Sequence, residues 1–238
     1  MHILVIDGNH VEAEFRAKFG TGHEYSFFTS DNNGIKGWDK FANGTAEDAS
    51  ATKVAFCFSK LSHSPDTYNW LGSLECPVFF EVVWHSVMLS KFEYSDGEFK
   101  GSIFGFCGLP TLLNRSLLEV SLYHEADREK LAQTCAALGT DYRVVADRVG
   151  LVTPRVICQI INEACFTVQE GTATMQDVDL GMKLGTNYPH GPFAWANAIG
   201  VERVYAVLEA MWNDTHDERY KICPLLKRQA LRGEPFLL

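Results

Sequence analysis

Residues 149–200, VGLVTPRVICQIINEACFTVQEGTATMQDVDLGMKLGTNYPHGPFAWANAIG, decide how this chain is read. Val156, Ile160, Ala164 and Val168 recur every four residues, with Ile157 and Ile161 beside them, which predicts one apolar face of a helix. Thr153 followed by Pro154 reads as an N-cap with proline at the first helical position, and Gly171 as the stop. Thr174 reads as the cap of a second helix, with Asp177 reaching back to the free amides and Gly185 closing it. Two prolines and a glycine in Tyr188–Phe193 predict an irregular corner. Beyond it, Val201, Val204, Tyr205, Leu208, Met211 and Trp212 mark an amphipathic helix whose apolar face is a core or dimer face. Pro224 opens a last helix through Leu231, ended by Gly233.

The other half has a different period. Ile3–Ile6 is a short continuous apolar run, as in a strand buried on both faces of a parallel sheet. A helix over 11–19 follows, then strands over 25–29, 54–58 and 78–83, with a turn at Asp31-Asn32-Asn33-Gly34 and a helix over 66–74. A helix over 127–138 and a strand over 142–145 lead to a boundary near residue 148. Strands alternating with helices predict α/β layers. The fold expected is therefore α/β followed by all-α, with domains 1–148 and 149–238.

Bulk properties narrow the function classes. The chain has 238 residues and a net charge of −9, so a polyanion such as nucleic acid is not an expected partner. The seven cysteines are odd in number and scattered, with no C-x-x-C, which argues against a disulfide framework or zinc site and fits a reducing cytoplasm. The apolar run near Val78–Leu89 is broken by Glu81 and His85, and the start MHILVIDGNH carries no basic region before a long apolar stretch, so neither membrane span nor signal peptide is expected. No P-loop, H-E-x-x-H or G-x-S-x-G occurs.

Gly150-Leu151, Arg155, Asn162-Glu163-Ala164, Asp177, Asp179, Met182-Lys183-Leu184-Gly185 and Pro189-His190-Gly191-Pro192-Phe193 stand in fixed order. In this the chain resembles the C-terminal helical domain of the 3-hydroxyacyl-CoA dehydrogenase family. The resemblance implies a reduced Rossmann-like domain ahead of the helical one, NAD as cofactor, a 3-hydroxyacyl-CoA substrate in fatty-acid metabolism, and a homodimer held through the helical domain.

The family's site positions are altered here. A dinucleotide turn wants G-x-G-x-x-G, so that the backbone can approach the pyrophosphate at a helix N-terminus. The three glycine positions fall on Asp7, Asn9 and Glu12, and a slipped alignment recovers only Gly8. Asp31 lies near the place of the ribose-binding acid, where an Asp-Asn-Asn-Gly turn explains it equally well. The family's general base is a histidine followed twelve residues on by a glutamate; counting back from Glu119 (119 − 12) gives Cys107. A thiol is shorter than imidazole and titrates higher, higher still when buried. Cys107 is thus either a small buried hydrophobe or half of a reactive Cys107–Glu119 pair, and Glu119 either a catalytic partner or a strand residue with a local bond. The family's substrate-contacting asparagine falls on Pro154, and its serine, by spacing alone, on Ser86. Loss of the glycine turn, the base and the asparagine together predicts a divergent, catalytically impaired homologue acting as a binding or scaffold module. The alternative is an active NAD-dependent oxidoreductase.

Overall fold

A computed structural model describes residues 1–31, 34–35, 52–58, 65–86 and 99–238. The chain divides into two compact units, residues 1–108 with 112–148, and residues 109–111 with 149–238.

The first unit is built on a seven-stranded sheet. Its strands are β1 (His2–Ile6), β2 (Glu24–Phe28), β5 (Thr52–Cys57), β6 (Val78–Glu81), β7 (Ile103–Phe106), β8 (Leu117–Leu122) and β9 (Asp141–Val144), in the order β2-β1-β5-β6-β7-β8-β9. Only β7 and β8 pair antiparallel; the other neighbours are parallel. Ser30–Asp31 (β3) and Gly34–Ile35 (β4) form a separate antiparallel pair, so the predicted turn is flanked by a small ladder, and Asn32 and Asn33 lie outside the described residues. Helices α1 (Glu12–Phe19), α2 (Pro65–Ser73) and α3 (Arg128–Leu138) complete the described elements of this unit, apart from short 3-10 turns.

The core between sheet and helices is aromatic. Phe56 stacks on Phe79 at 4.7 Å between centroids, and Phe15 of α1 presents its edge to Phe56 at 5.0 Å. Ile3, Val5, Phe104, Phe106, Leu118 and Val120 of the sheet close over Leu131, Cys135 and Leu138 of α3. Rings at these spacings add to the burial term through edge-to-face geometry.

The second unit contains α4 (Thr153–Gln169), α5 (Met175–Thr186), α6 (Pro192–Ile199), α7 (Val201–Thr215) and α8 (Pro224–Arg232). Thr174 caps α5 as expected, accepting from the Asp177 amide at 3.1 Å. Four details depart from the sequence reading. α4 begins at Thr153 after Val152 with no side-chain cap bond, Pro154 lying in its first turn. α5 runs past Gly185 to Thr186 and closes on Asn187 in the left-handed region, a conformation asparagine tolerates. The corner is irregular only to Gly191, because Pro192, with its pre-set φ and no N–H to satisfy, opens α6. The buried face of α4 comprises Ile157, Cys158, Ile161, Ala164 and Cys165, while Val156 is 51% exposed. The apolar stripe of α4 is wide enough for two faces, and the core takes the one displaced by a residue.

In α7 the buried positions are Val201, Val204, Val207, Leu208 and Met211, leaving Tyr205 and Trp212 half-buried. No helix among the described residues is long and apolar enough to cross a membrane.

Candidate functional site

In an open parallel sheet, ligands bind outside the carboxyl ends of the strands where the order reverses. Here that point lies between β1, whose chain runs out to β2 on one side, and β5 on the other. The residues leaving these strands are Asp7, Gly8 and Asn9 after β1, and Phe58 after β5.

Asp7 adopts φ 58°, a left-handed conformation costly for a residue with a Cβ and best tolerated by Asn and Asp. It is buried, and its carboxylate accepts the Ser30 amide N–H at 2.9 Å and the Ser30 hydroxyl. The charge that the sequence placed at the turn is therefore directed towards the end of β2. Its own amide donates to Phe28 O at 2.8 Å.

Behind Asp7 the chain makes a 3-10 turn, Asn9–Val11, before α1 begins. The Val11 amide donates to Gly8 O at 3.1 Å and the Glu12 amide to Asn9 O. These are the groups a pyrophosphate would need at the helix start, and they are already engaged. The Glu12 carboxylate also stands in the first turn, paired with Arg16 at 2.8 Å.

Phe58 fills the crevice itself. It is fully buried, and a Cβ on Gly8 would lie 2.7 Å from its ring on one side, while a Cβ on Gly108 would lie 2.6 Å from it on another. His10 meets the ring edge-on at 5.7 Å and Phe106 at 5.3 Å. Gly8, the glycine recovered by the slipped alignment, thus makes room for an aromatic ring of the chain's own core. Beside Gly108, Glu81 brings a carboxylate oxygen to 2.9 Å from where that residue's Cβ would be, although Glu81 is only 2% exposed. The residues at this turn do not fit the pyrophosphate of NAD. Phe58 read in the sequence only as the end of a strand; the signal for its role was its company in an unusually phenylalanine-rich sheet.

Cys107 follows β7 and is buried, as expected of a thiol in an apolar run. Phe106 pairs with Val120 across the β7–β8 ladder, and continuing that register by one residue sets Glu119 opposite Cys107. The ladder itself ends at Phe106 and Val120, so the two family positions are the residues next to its last rung. Glu119 has a mostly buried side chain, 3.9 Å from Arg115. Ser86 follows the bend after β6, and Asp31 lies in β3. Pro154 is buried in the first turn of α4, where it offers neither an amide side chain nor an N–H. No group of three or more His, Cys, Asp or Glu side chains that could hold a metal ion occurs among the described residues.

In the helical unit the motif residues quoted above have physical roles. Asn162, 3% exposed, donates to Lys221 O and accepts from Cys223 N, both at 2.9 Å, tying α4 to the segment that precedes α8. Asp179 of α5 accepts from the Phe193 and Ala194 amides at 2.7 and 2.9 Å and so caps α6 from outside. Arg155 donates to Val149 O at 2.5 Å and to the Tyr220 hydroxyl.

Residues 150–235 match the family model for the 3-hydroxyacyl-CoA dehydrogenase C-terminal domain. That match bears out, for the helical unit, the resemblance to the 3-hydroxyacyl-CoA dehydrogenase family. A 3-hydroxyadipyl-CoA dehydrogenase of Escherichia coli (strain K12) is 42% identical over 87 residues, 37% of this chain and 18% of that protein. A probable 3-hydroxybutyryl-CoA dehydrogenase of Bacillus subtilis (strain 168) is 39% identical over 89 residues, 37% of this chain and 31% of that protein. The chain thus matches less than a third of the length of either relative. Solved structures extend the likeness of fold to the whole chain: (S)-3-hydroxybutyryl-CoA dehydrogenase of Ralstonia eutropha superposes with a TM-score of 0.70 at 18% identity, covering 98% of this chain and 94% of that one. FadB2 of M. tuberculosis gives 0.71 at 16%, covering 97% and 93%. The first unit accordingly has a reduced Rossmann-like fold, and the motif residues that resemble the family are concentrated in the second.

Proposed function

We propose that this chain is a catalytically impaired member of the family that works as a binding or scaffold module, assembled as a homodimer through its helical unit. The observation that carries the reading is the Phe58 ring packed between Gly8 and Gly108 in the switch-point crevice. The engaged amides of Val11 and Glu12 support it, as does the buried thiol of Cys107 at the family's base position. Oxidation of a 3-hydroxyacyl thioester needs a hydride acceptor beside the substrate and a group to take the hydroxyl proton. In this reading the first unit supplies neither. An acyl-CoA is the small-molecule ligand the family points to, and seven free cysteines suit a reducing cytoplasm.

One observation favours a second reading, an active NAD-dependent dehydrogenase of 3-hydroxyacyl-CoA in fatty-acid metabolism: Glu119 is retained, next to the last rung of the β7–β8 ladder. Titration of the purified protein with NADH, followed by tryptophan quenching, separates the two. The impaired reading expects no saturable quenching into the millimolar range and no NADH production from 3-hydroxybutyryl-CoA above a Glu119→Gln control. Saturable micromolar binding with turnover would sink it and establish the second.

A further inference from the structure

Three of the seven cysteines, Cys158, Cys165 and Cys223, lie in the helical unit, and all three are buried. α4 presents Cys158, Asn162, Cys165 and Gln169 along one side, because steps of three and four residues return a helix to the same face. The two polar members of this row fix the segment that enters α8. The Asn162 Oδ1 accepts from the Cys223 amide at 2.9 Å, and the Gln169 Oε1 accepts from the Leu225 amide at 3.0 Å. The Cys223 thiol donates to the same Gln169 oxygen at 3.6 Å. Cys223 is therefore held over the stretch of α4 between Asn162 and Gln169. The fully buried residue of that stretch on this side is Cys165. The two thiols feel each other: burial first, and then Cys223, push the Cys165 thiol up. Cys158 cannot bridge to Cys165, since residues seven apart on one helix are about 10 Å apart, beyond the reach of a disulfide.

The pair is not symmetric. Cys223 is the N-cap of α8. Burial raises its thiol, while the Leu225 and Leu226 amides and Arg228 draw it back down. Nothing offsets the rise at Cys165. The thiolate is the attacking form, so Cys223 is the better nucleophile of the two. It also lies in a short segment whose Lys221 and Pro224 are exposed, so a local opening uncovers it without unfolding the helices.

We infer that Cys165 and Cys223 form a redox-active dithiol that closes to a disulfide and staples α4 to α8. A small disulfide such as oxidised glutathione is the oxidant. The Cys223 thiolate attacks one of its sulfurs and expels one glutathione thiolate, leaving a mixed disulfide on Cys223. The Cys165 thiolate then attacks the Cys223 sulfur and expels the second. Two electrons pass from the cysteines to glutathione, and the two cysteine protons end on two glutathione thiols. In a reducing compartment the pair stays open, and it closes under oxidative load.

The test uses the full chain, reduced and then incubated with excess oxidised glutathione. Free thiols are blocked with N-ethylmaleimide in urea, and the protein is digested without reductant. Peptide mass spectrometry is expected to find Cys165 joined to Cys223, with the cross-link parting on addition of dithiothreitol. Cys165→Ser removes the second thiol, so Cys223 accumulates as its glutathione adduct. Cys223→Ser gives neither cross-link nor adduct at Cys165, and Cys158→Ala keeps the cross-link. Circular dichroism checks that each variant is folded, and the wild-type map decides the matter without any variant. A wild-type protein whose Cys165 and Cys223 both remain thiols, or whose cross-link joins another pair, overturns the inference. A glutathione adduct on Cys165 in the Cys223→Ser variant overturns the order of attack.

Discussion

The ring of Phe58 lies where a side chain on Gly8 would have to be, 2.7 Å from the Cβ position. A glycine that suggests a phosphate turn in the sequence is kept open by the protein's own aromatic core. Phe58→Ala should therefore behave as a large core truncation and cost about 3–5 kcal/mol. It should not create NADH binding, because the Val11 and Glu12 amides stay in their 3-10 turn. Chemical denaturation and NADH fluorescence titration of the variant check the two halves separately.

Asp7 holds a left-handed φ of 58° while its carboxylate binds Ser30. Asp7→Ala loses the bonds, leaves the conformational cost and strands the Ser30 amide; we expect a loss of about 2–4 kcal/mol. Asp7→Asn keeps one acceptor and a side chain tolerant of this backbone, and should cost less than half as much. Equal losses in the two variants would mean the carboxylate–Ser30 bonds contribute nothing.

Asp179 links the D-x-D and P-x-G-P-F parts of the family pattern by capping α6 at the Phe193 and Ala194 amides. Asp179→Ala should lower stability by about 1–2 kcal/mol. Gly191→Ala should be worse, since the new Cβ would lie 2.6 Å from the Asp179 Cα, which is backbone and cannot swing away. Thermal melts of both variants decide the order.

Burial pushes the Cys158 thiol from about 9 up to about 12. A folded-state value raised above the unfolded one favours the folded state below the unfolded value and loses that contribution as pH climbs towards the folded value. Stability should thus fall between pH 9 and 12 by about 1.4 kcal/mol per pH unit from this thiol alone. Burial also raises Cys135 to about 12, adding to the slope. Cys158→Ala should flatten urea-derived stability against pH by the share of one thiol; an unchanged slope would remove the argument.

Native-state alkylation separates a reactive Cys107 from an inert one. Cys107 is 4% exposed, so iodoacetamide at neutral pH should leave it unmodified until urea unfolds the first unit. Stoichiometric labelling of Cys107 in the folded protein, located by peptide mass, would revive chemistry at that position.

Much of the helical unit was legible because its signals are local. The Thr174 cap and the proline that opens α8 act through their own turns, and α4, α7 and α8 follow from apolar period and terminal residues, whereas α6 was hidden behind its proline-rich corner. The family pattern was legible too, but not its cause: Asn162 matters through Lys221 and Cys223, partners some sixty residues away. Period alone could not say which face of α4 is inward, since Val156 and Ile161 both fall within a broad apolar stripe; packing against the other helices chose Ile161.

By itself the sequence determined most element types, the α/β-then-α order, the family resemblance of the helical unit, and the absence of glycines where a dinucleotide turn needs them. These follow from residue type and spacing of a few positions. Tertiary structure alone decided that Phe58 occupies the crevice, that Asp7 turns its charge to Ser30, and that β7 and β8 pair antiparallel with Phe106 against Val120. Those outcomes depend on strands far apart in the chain meeting in one sheet, where the space left by a glycine on one strand is filled by whatever the neighbouring strand delivers.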